Sequence, residues 1–259
     1  MNCAGVTLVG AGPGDPELLT IKAVKAIAAA TLLLVDDLVS DAIVALAPPG
    51  ARVVYVGKRG GCRSTPQAFI LKMMVAAARE GERVVRLKGG DPFIFGRGGE
   101  EVAHLAAAGI RVEVVSGITA GLAAAAALQV SLTHREHAHG VVFVTGHAKA
   151  GGQIPDWRAL AATAHSARLT LVIYMGVRGA RQLQQDLLSG LSASTPVTAI
   201  QNASLPTQRH ICTTLGQLAH AIEREGIGSP AIIVVGEVAR AAELARQAMP
   251  PRVRPMAKA

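Results

Sequence analysis

The chain has 259 residues, 50% hydrophobic and only 3% aromatic, with a formal net charge of +8. That length suits one large or two medium domains. The mean hydropathy of +0.36 comes largely from alanine, and the uncharged run Val114 to Thr133 is too rich in Ser, Thr and Gly for the ~20 mostly apolar residues of a membrane span. The basic balance, pI ≈ 9.9, fits a polyanionic small substrate better than nucleic acid, because aromatics for base stacking are few and no long Lys/Arg block is present before the short tail. Cys3, Cys62 and Cys212 are scattered and odd in number, which suits a reducing cytoplasm and excludes a disulfide framework or a CxxC zinc site. No basic segment followed by an apolar core stands at the amino terminus, so no signal peptide is expected.

Val6 to Val9 is a short β run ending in Gly10-Ala11-Gly12-Pro13-Gly14-Asp15. A helix is expected next, with Asp15 as N-cap, Pro16 at its first position, Glu17 at the positive dipole end, and Leu18, Ile21, Val24, Lys25 and Ala28 carrying the pattern onward. The glycines do not form a dinucleotide fingerprint. Asp15 stands where GxGxxG needs its third glycine, Pro13 removes an N–H donor, and a carboxylate at the helix start repels pyrophosphate. Such a loop suits a neutral or cationic ligand portion, or a plain strand-to-helix turn. Thr31 to Val35 is a second strand, ending at Asp36-Asp37, which read either as turn and cap residues or as site carboxylates; Ser40-Asp41 open another helix. Arg52 to Val56 is a third strand, running into Gly57-Lys58-Arg59-Gly60-Gly61. It is not a Walker loop, since Arg52 replaces the leading glycine and Arg59 the Ser/Thr; with Arg63 it suits a carboxylate-rich substrate. Thr65-Pro66 begin a helix to about Arg79, closed by Gly81.

Val84 to Glu101, VVRLKGGDPFIFGRGGEE, is the most unusual stretch. A strand stops at Gly89-Gly90, Asp91-Pro92 turns the chain, and Phe93-Ile94-Phe95 holds half of the four phenylalanines. An acid and aromatics at a strand's carboxyl end mark the place where open α/β sheets keep ligands. A helix from Glu100 to Ala108, Gly109 as its C′ residue, and a strand from Arg111 to Val115 complete five strand–helix alternations. The strand ends at Gly10, Asp36, Gly57, Gly89 and Ser116 should share one edge of a parallel or mostly parallel sheet. An alanine-rich helix from about Thr119 leads to His134, His137 and His139, which lack a partner set at a known metal-ligand spacing; a polar linker or substrate edge is expected there, and no metal.

A second set of strands follows: Val141 to Thr145, Thr170 to Tyr174, Val197 to Gln201, Arg209 to Thr213 and Ala231 to Val235. Leu205-Pro206 separates the third and fourth closely enough for a hairpin, so this sheet is mixed. The expected fold is two α/β domains, 1–136 with a mostly parallel sheet and 137–245 with a mixed one, with a ligand cleft between them; 246–259 reads as a mobile tail.

Taken together, GAGPGDPELLT, DDLVS, VGKRGG, GGDPFIFGRGGEE, VVSGITAG, LTHR, VVFVTGH, TLVIYMG, QNASLPTQR and SPAIIVVGEV resemble the tetrapyrrole methyltransferases, and within them the S-adenosylmethionine-dependent uroporphyrinogen-III C-methyltransferases that make precorrin-2. The likeness runs from Val6 to about Val238. It implies a cofactor, S-adenosyl-L-methionine, bent in the interdomain cleft and released as S-adenosyl-L-homocysteine. It puts cofactor contacts on Pro13, Gly89, Gly90, Asp91, Ile94, Thr119, Ala120, Met175, Ala203 and Ala231. It also implies a proton acceptor at Asp36, a proton donor at Lys58, a tetrapyrrole substrate and a cytoplasmic homodimer. From charge alone, Arg59, Arg63, Arg97 and Arg135 are candidate holders of substrate carboxylates. Val35, Asp37 and Arg63 depart from the usual tyrosine, arginine and histidine, and bear on the tetrapyrrole side. The rival readings are a sister enzyme acting on a later precorrin, a methyltransferase of the same fold acting on RNA or a modified histidine, and a nucleotide-binding module without chemistry. Pro13 and Asp15 count against the last.

Overall fold

The computed structural model describes residues 5–57, 65–147, 152 and 155–240. The chain divides into two compact units, Met1–Ala123 with Ala203–Thr207, and Ala124–Asn202 with Gln208–Ala259.

In the first unit, strands β1 (Val6–Gly10), β2 (Leu32–Val35), β3 (Arg52–Tyr55), β4 (Val84–Lys88) and β5 (Val112–Val115) form a sheet in the order β3-β2-β4-β1-β5. Every pairing is parallel, with Val6 opposite both Val84 and Val112, and Leu32 opposite both Val84 and Arg52. Parallel strands need crossovers, and helices α1 (Ile21–Ala28), α2 (Asp41–Val44), α3 (Gln67–Arg79) and α4 (Gly98–Ala107) supply them. Side chains alternate across a strand. Val9, Leu33, Val35, Val85 and Leu87 therefore pack with Ala23, Ile27 and Ile43 on one face, and Leu8, Leu32, Leu34 and Val84 with Ile70, Met74 and Leu105 on the other.

The first helix differs from expectation. Asp15 caps only a 3₁₀ turn, Pro16–Leu18, and α1 begins at Ile21, where the Thr20 hydroxyl accepts the Ala23 N–H at 3.1 Å. Ile21 is 76% exposed; the buried stripe is Ala23 and Ile27, one turn apart. The second cap resets the helix phase, so the expected Leu18–Ile21–Val24 pattern is not the packed one.

The second unit is built on β6 (Gly140–Thr145), β7 (Leu169–Tyr174), β8 (Pro196–Gln201), β9 (Arg209–Thr214) and β10 (Ala231–Val235), in the order β6-β7-β10-β8-β9. Only β6 and β7 run parallel; β8 and β9 form the expected hairpin register, Gln201 opposite Arg209. Helices α6 (Trp157–Ser166), α7 (Ala180–Leu188) and α8 (Leu218–Glu225) pack against Leu171, Ile173, Val197, Ala199, Ile211 and Ile233. Helix α5 (Ala120–Ala127) spans the boundary between the two chain units.

Candidate active site

The carboxyl ends of β1, β4 and β5 meet without side chains between them. A Cβ on Gly117 would lie 2.3 Å from the Gly90 carbonyl oxygen, and one on Gly10 would lie 2.5 Å from the Gly117 nitrogen. Gly12 and Gly90 exchange backbone hydrogen bonds, 3.1 and 2.7 Å, and Ala11 donates to the Lys88 carbonyl at 2.8 Å. Gly90 holds φ +69, a left-handed conformation that favours glycine. Gly89 is fixed differently: its Cβ would lie 2.7 Å from that of Leu38.

Asp91 ties this edge together. One carboxylate oxygen accepts from Phe93 N at 2.8 Å and the other from Gly117 N at 3.0 Å. Thr119 is buried beside Gly90, and Ala120 opens α5. Ile94 is half-buried in the 91–97 loop, while Phe93 and Phe95 are 57% and 42% exposed. On the first loop, Gly14 is clasped by the Ser40 hydroxyl, which donates to its carbonyl at 2.7 Å, and by Leu205, whose Cδ2 leaves no space for a Cβ. That contact sets the Ala203–Thr207 segment against Pro13–Gly14; Ala203 is buried.

Asp36 follows β2 on the α3/α4 face, two residues after Leu34. Its Oδ1 accepts from Asp37 N at 3.1 Å and lies 3.9 Å from Arg86 Nη2, and its side chain is 37% exposed. Asp37 is exposed. Beneath Asp36 lies a charge cluster that sequence reasoning missed. Val84, Arg86 and Lys88 share one face of β4, and both bases are 3% exposed. Glu101, fully buried on α4, accepts through one oxygen from Arg86 Nε (3.3 Å), Lys88 Nζ (3.1 Å) and Gln67 Nε2 (3.0 Å). Burial, then the neighbouring Arg86, push the Lys88 ammonium below its ordinary pKa of 10.5, against the opposing pull of Glu101 and Asp36. The available signal was two bases at i and i+2 in a strand otherwise apolar, followed by an acid one turn before Leu105 on the buried face of a helix.

Other candidates fall elsewhere. Arg97 has φ +58 at the start of α4 and is paired with Glu100, at 3.0 and 2.5 Å, which holds its guanidinium above its usual pKa. A substrate carboxylate would have to share it with Glu100. In the second unit, Met175 directly follows β7 with φ +57 and is 49% exposed, Ala231 opens β10, and Arg135 is exposed on the turn bridged by His134 and Ala138. His134, Glu136 and His137 bring ligand atoms within 4.8 Å of one another, but the two rings stack at 4.6 Å and 15°, so their in-plane lone pairs run side by side. Lys58, Arg59 and Arg63 lie outside the described residues. Two surface cavities, 460 and 530 Å³, contain none of the candidate residues.

The chemistry of the glycine edge fits S-adenosylmethionine better than a phosphate ligand. Pro13 offers no donor, Asp15 spends its carboxylate on Glu17 N at 2.9 Å, and the Asp91 side chain already accepts from Gly117 N. Pro13, Gly90, Asp91, Ile94, Thr119, Ala120 and Ala203 would hold it from the first unit.

Among known proteins, the family described as Tetrapyrrole (Corrin/Porphyrin) Methylases matches residues 5–219. A uroporphyrinogen-III C-methyltransferase of Pseudomonas aeruginosa is 52% identical over 236 residues, covering 91% of this chain and 94% of that protein. A siroheme synthase of Azotobacter vinelandii is 50% identical over 91% of this chain, which spans only 50% of that longer protein. The structure of a uroporphyrin-III C-methyl transferase from Thermus thermophilus complexed with S-adenyl homocysteine superposes with TM-score 0.76 at 41% identity, covering 92% and 99% of the two chains.

Proposed function

The chain belongs to the tetrapyrrole (corrin/porphyrin) methylases, and from that premise we infer that it is a uroporphyrinogen-III C-methyltransferase. It methylates uroporphyrinogen III at C2 and C7, giving precorrin-2 by way of precorrin-1. The observation that carries this reading is the 52% identity to an enzyme of that activity across 91% of the chain.

When bound, S-adenosylmethionine supplies an electrophilic sulfonium methyl. The chain's own work is to align an electron-rich pyrrole carbon with that methyl and to exclude water, a contribution worth ~7–11 kcal/mol where the geometry is right. Bare backbone at Gly90 admits a ligand closely. Methylation leaves the macrocycle cationic, and a proton must then leave. Asp36, half-exposed at a strand's carboxyl end and held by the Asp37 N–H, is our base. Lys58 serves as the proton donor, with Arg59, Arg63, Arg97 and Arg135 toward the substrate carboxylates; Met175 and Ala231 complete the cofactor contacts from the second unit. Scattered cysteines support a reducing, cytoplasmic setting, and the family resemblance supports a homodimer. Among the described residues no helix is long and apolar enough to cross a membrane. The test is methyl transfer to enzymatically generated uroporphyrinogen III, followed by product mass. Gain of two methyl groups is expected; an unchanged mass overturns the reading.

A further inference from the structure

We propose that Glu101 and Arg86 are a buried positioning pair for Asp36: Glu101 fixes the Arg86 guanidinium, and the guanidinium fixes the Asp36 carboxylate. This rests on the reading of Asp36 as the base. Arg86 has five N–H donors in a rigid fork. Nε is committed to Glu101 at 3.3 Å. Nη1 reaches the Leu34 carbonyl at 3.3 Å and the Leu87 carbonyl at 3.0 Å. Nη2 is turned toward Asp36 Oδ1 at 3.9 Å. The Leu87 carbonyl also accepts the Asp36 N–H at 3.1 Å, so the backbone and the carboxylate of Asp36 are both referred to one guanidinium.

The composition of the cluster points the same way. Lys88 and Arg86 are two buried cations, and Glu101 supplies one anion; the carboxylate that balances the second cation is Asp36. Packing alone does not call for such a set, since a buried ion pair is often replaceable by apolar residues without loss of stability. Glu101 even keeps Oε2 without a hydrogen-bond partner among the described residues. Glu101 sits in the first turn of α4, directly after the 91–97 loop, so the pair links the placement of that helix to the base on β2.

The test separates positioning from folding. Glu101→Gln leaves the two buried cations short of an anion, so the decisive variant is Glu101→Gln with Lys88→Met, which restores the balance. We expect it to fold, to bind S-adenosylmethionine by calorimetry within about twofold of wild type, and to keep its substrate KM, while single-turnover methyl transfer falls ~10²-fold, the cost of an ångström-scale misplacement. Added to Asp36→Asn, the same pair of changes should cause no further loss, because both act through one carboxylate. Gln67→Leu, a milder change that removes one donor to Glu101, should slow transfer several-fold at unchanged cofactor affinity. Wild-type rates in the folded double variant and in Gln67→Leu overturn the positioning role. So does a loss of cofactor affinity that accounts for the lost rate. An inactive wild type overturns the enzyme assignment, and a fully active Asp36→Asn overturns the base; both take the positioning pair with them.

Discussion

Replacing Asp36 by Asn separates chemistry from architecture. The structural loss is small: asparagine keeps an acceptor for the Asp37 N–H now bound at 3.1 Å, and what disappears is charge facing Arg86 at 3.9 Å. Coulomb's law gives about 4 kcal/mol for that separation at an effective dielectric of ~20 and about 1 kcal/mol in water. With 37% of the Asp36 side chain exposed, the screened end governs, and the expected stability cost is below about 1 kcal/mol. Loss of a positioned base costs ~10²–10⁴ in rate, equivalent to about 2.7–5.4 kcal/mol of barrier. The variant should therefore unfold in urea close to wild type and bind S-adenosylmethionine normally, while single-turnover methylation drops by at least ~10²-fold. Asp37→Asn, altering an exposed side chain, should do much less. A full-rate Asp36→Asn enzyme, or an inactive Asp37→Asn enzyme, would refute the reasoning.

Gly117→Ala forces a Cβ against the Gly90 carbonyl at 2.3 Å and should cost ~1–3 kcal/mol in urea unfolding, whereas Gly99→Ala, with nothing within 4 Å inside α4, should be neutral or stabilising by ~0.5–1 kcal/mol. The folded pKa of Lys88 lies below its unfolded value of 10.5, so between the two the unfolded chain holds more protons and stability rises with pH. Lys88→Met should remove that rise, leaving a wild-type-minus-variant difference that climbs with pH and levels off above 10.5 in urea titrations. Because the basic surface is read as serving a polycarboxylate, KM for uroporphyrinogen III should increase with salt as charge is screened over ~8–10 Å; salt-sensitive RNA or DNA binding with salt-indifferent turnover would reverse that reading.

The strand ends were legible because β runs stop at residues with strong local preferences. Gly10, Gly89-Gly90 and Asp36 all stand where the pattern put them, as does the β8–β9 hairpin. What local pattern concealed was three-dimensional accounting. Asp91 reads as a turn residue and a ligand contact, and the sequence does not show that it spends both oxygens on backbone N–H groups, one of them at Gly117, far along the chain. Arg86 and Lys88 carried no reading in the sequence, because period 2 cannot say that α3 and α4 cover their face, or that Glu101 waits there to pair with them. The phase of α1 failed for a similar reason, since either Asp15 or Thr20 is a competent cap and only packing at Ala23 and Ile27 decides between them.

The clasp on Gly14 has a consequence for how the protein is made. All five strands of the first unit leave the ribosome before Leu205 exists, so the earliest loop of the chain waits for a residue from its last quarter to complete its packing. From Gly14 to Leu205, at ~5–20 residues per second, that wait is ~10–40 seconds. During it the nascent first unit has its sheet but not the side chain that seats Gly14. A chain ended before Ala203 should therefore build the five-stranded sheet and still lack the finished glycine loop, which couples ligand competence to near-complete synthesis.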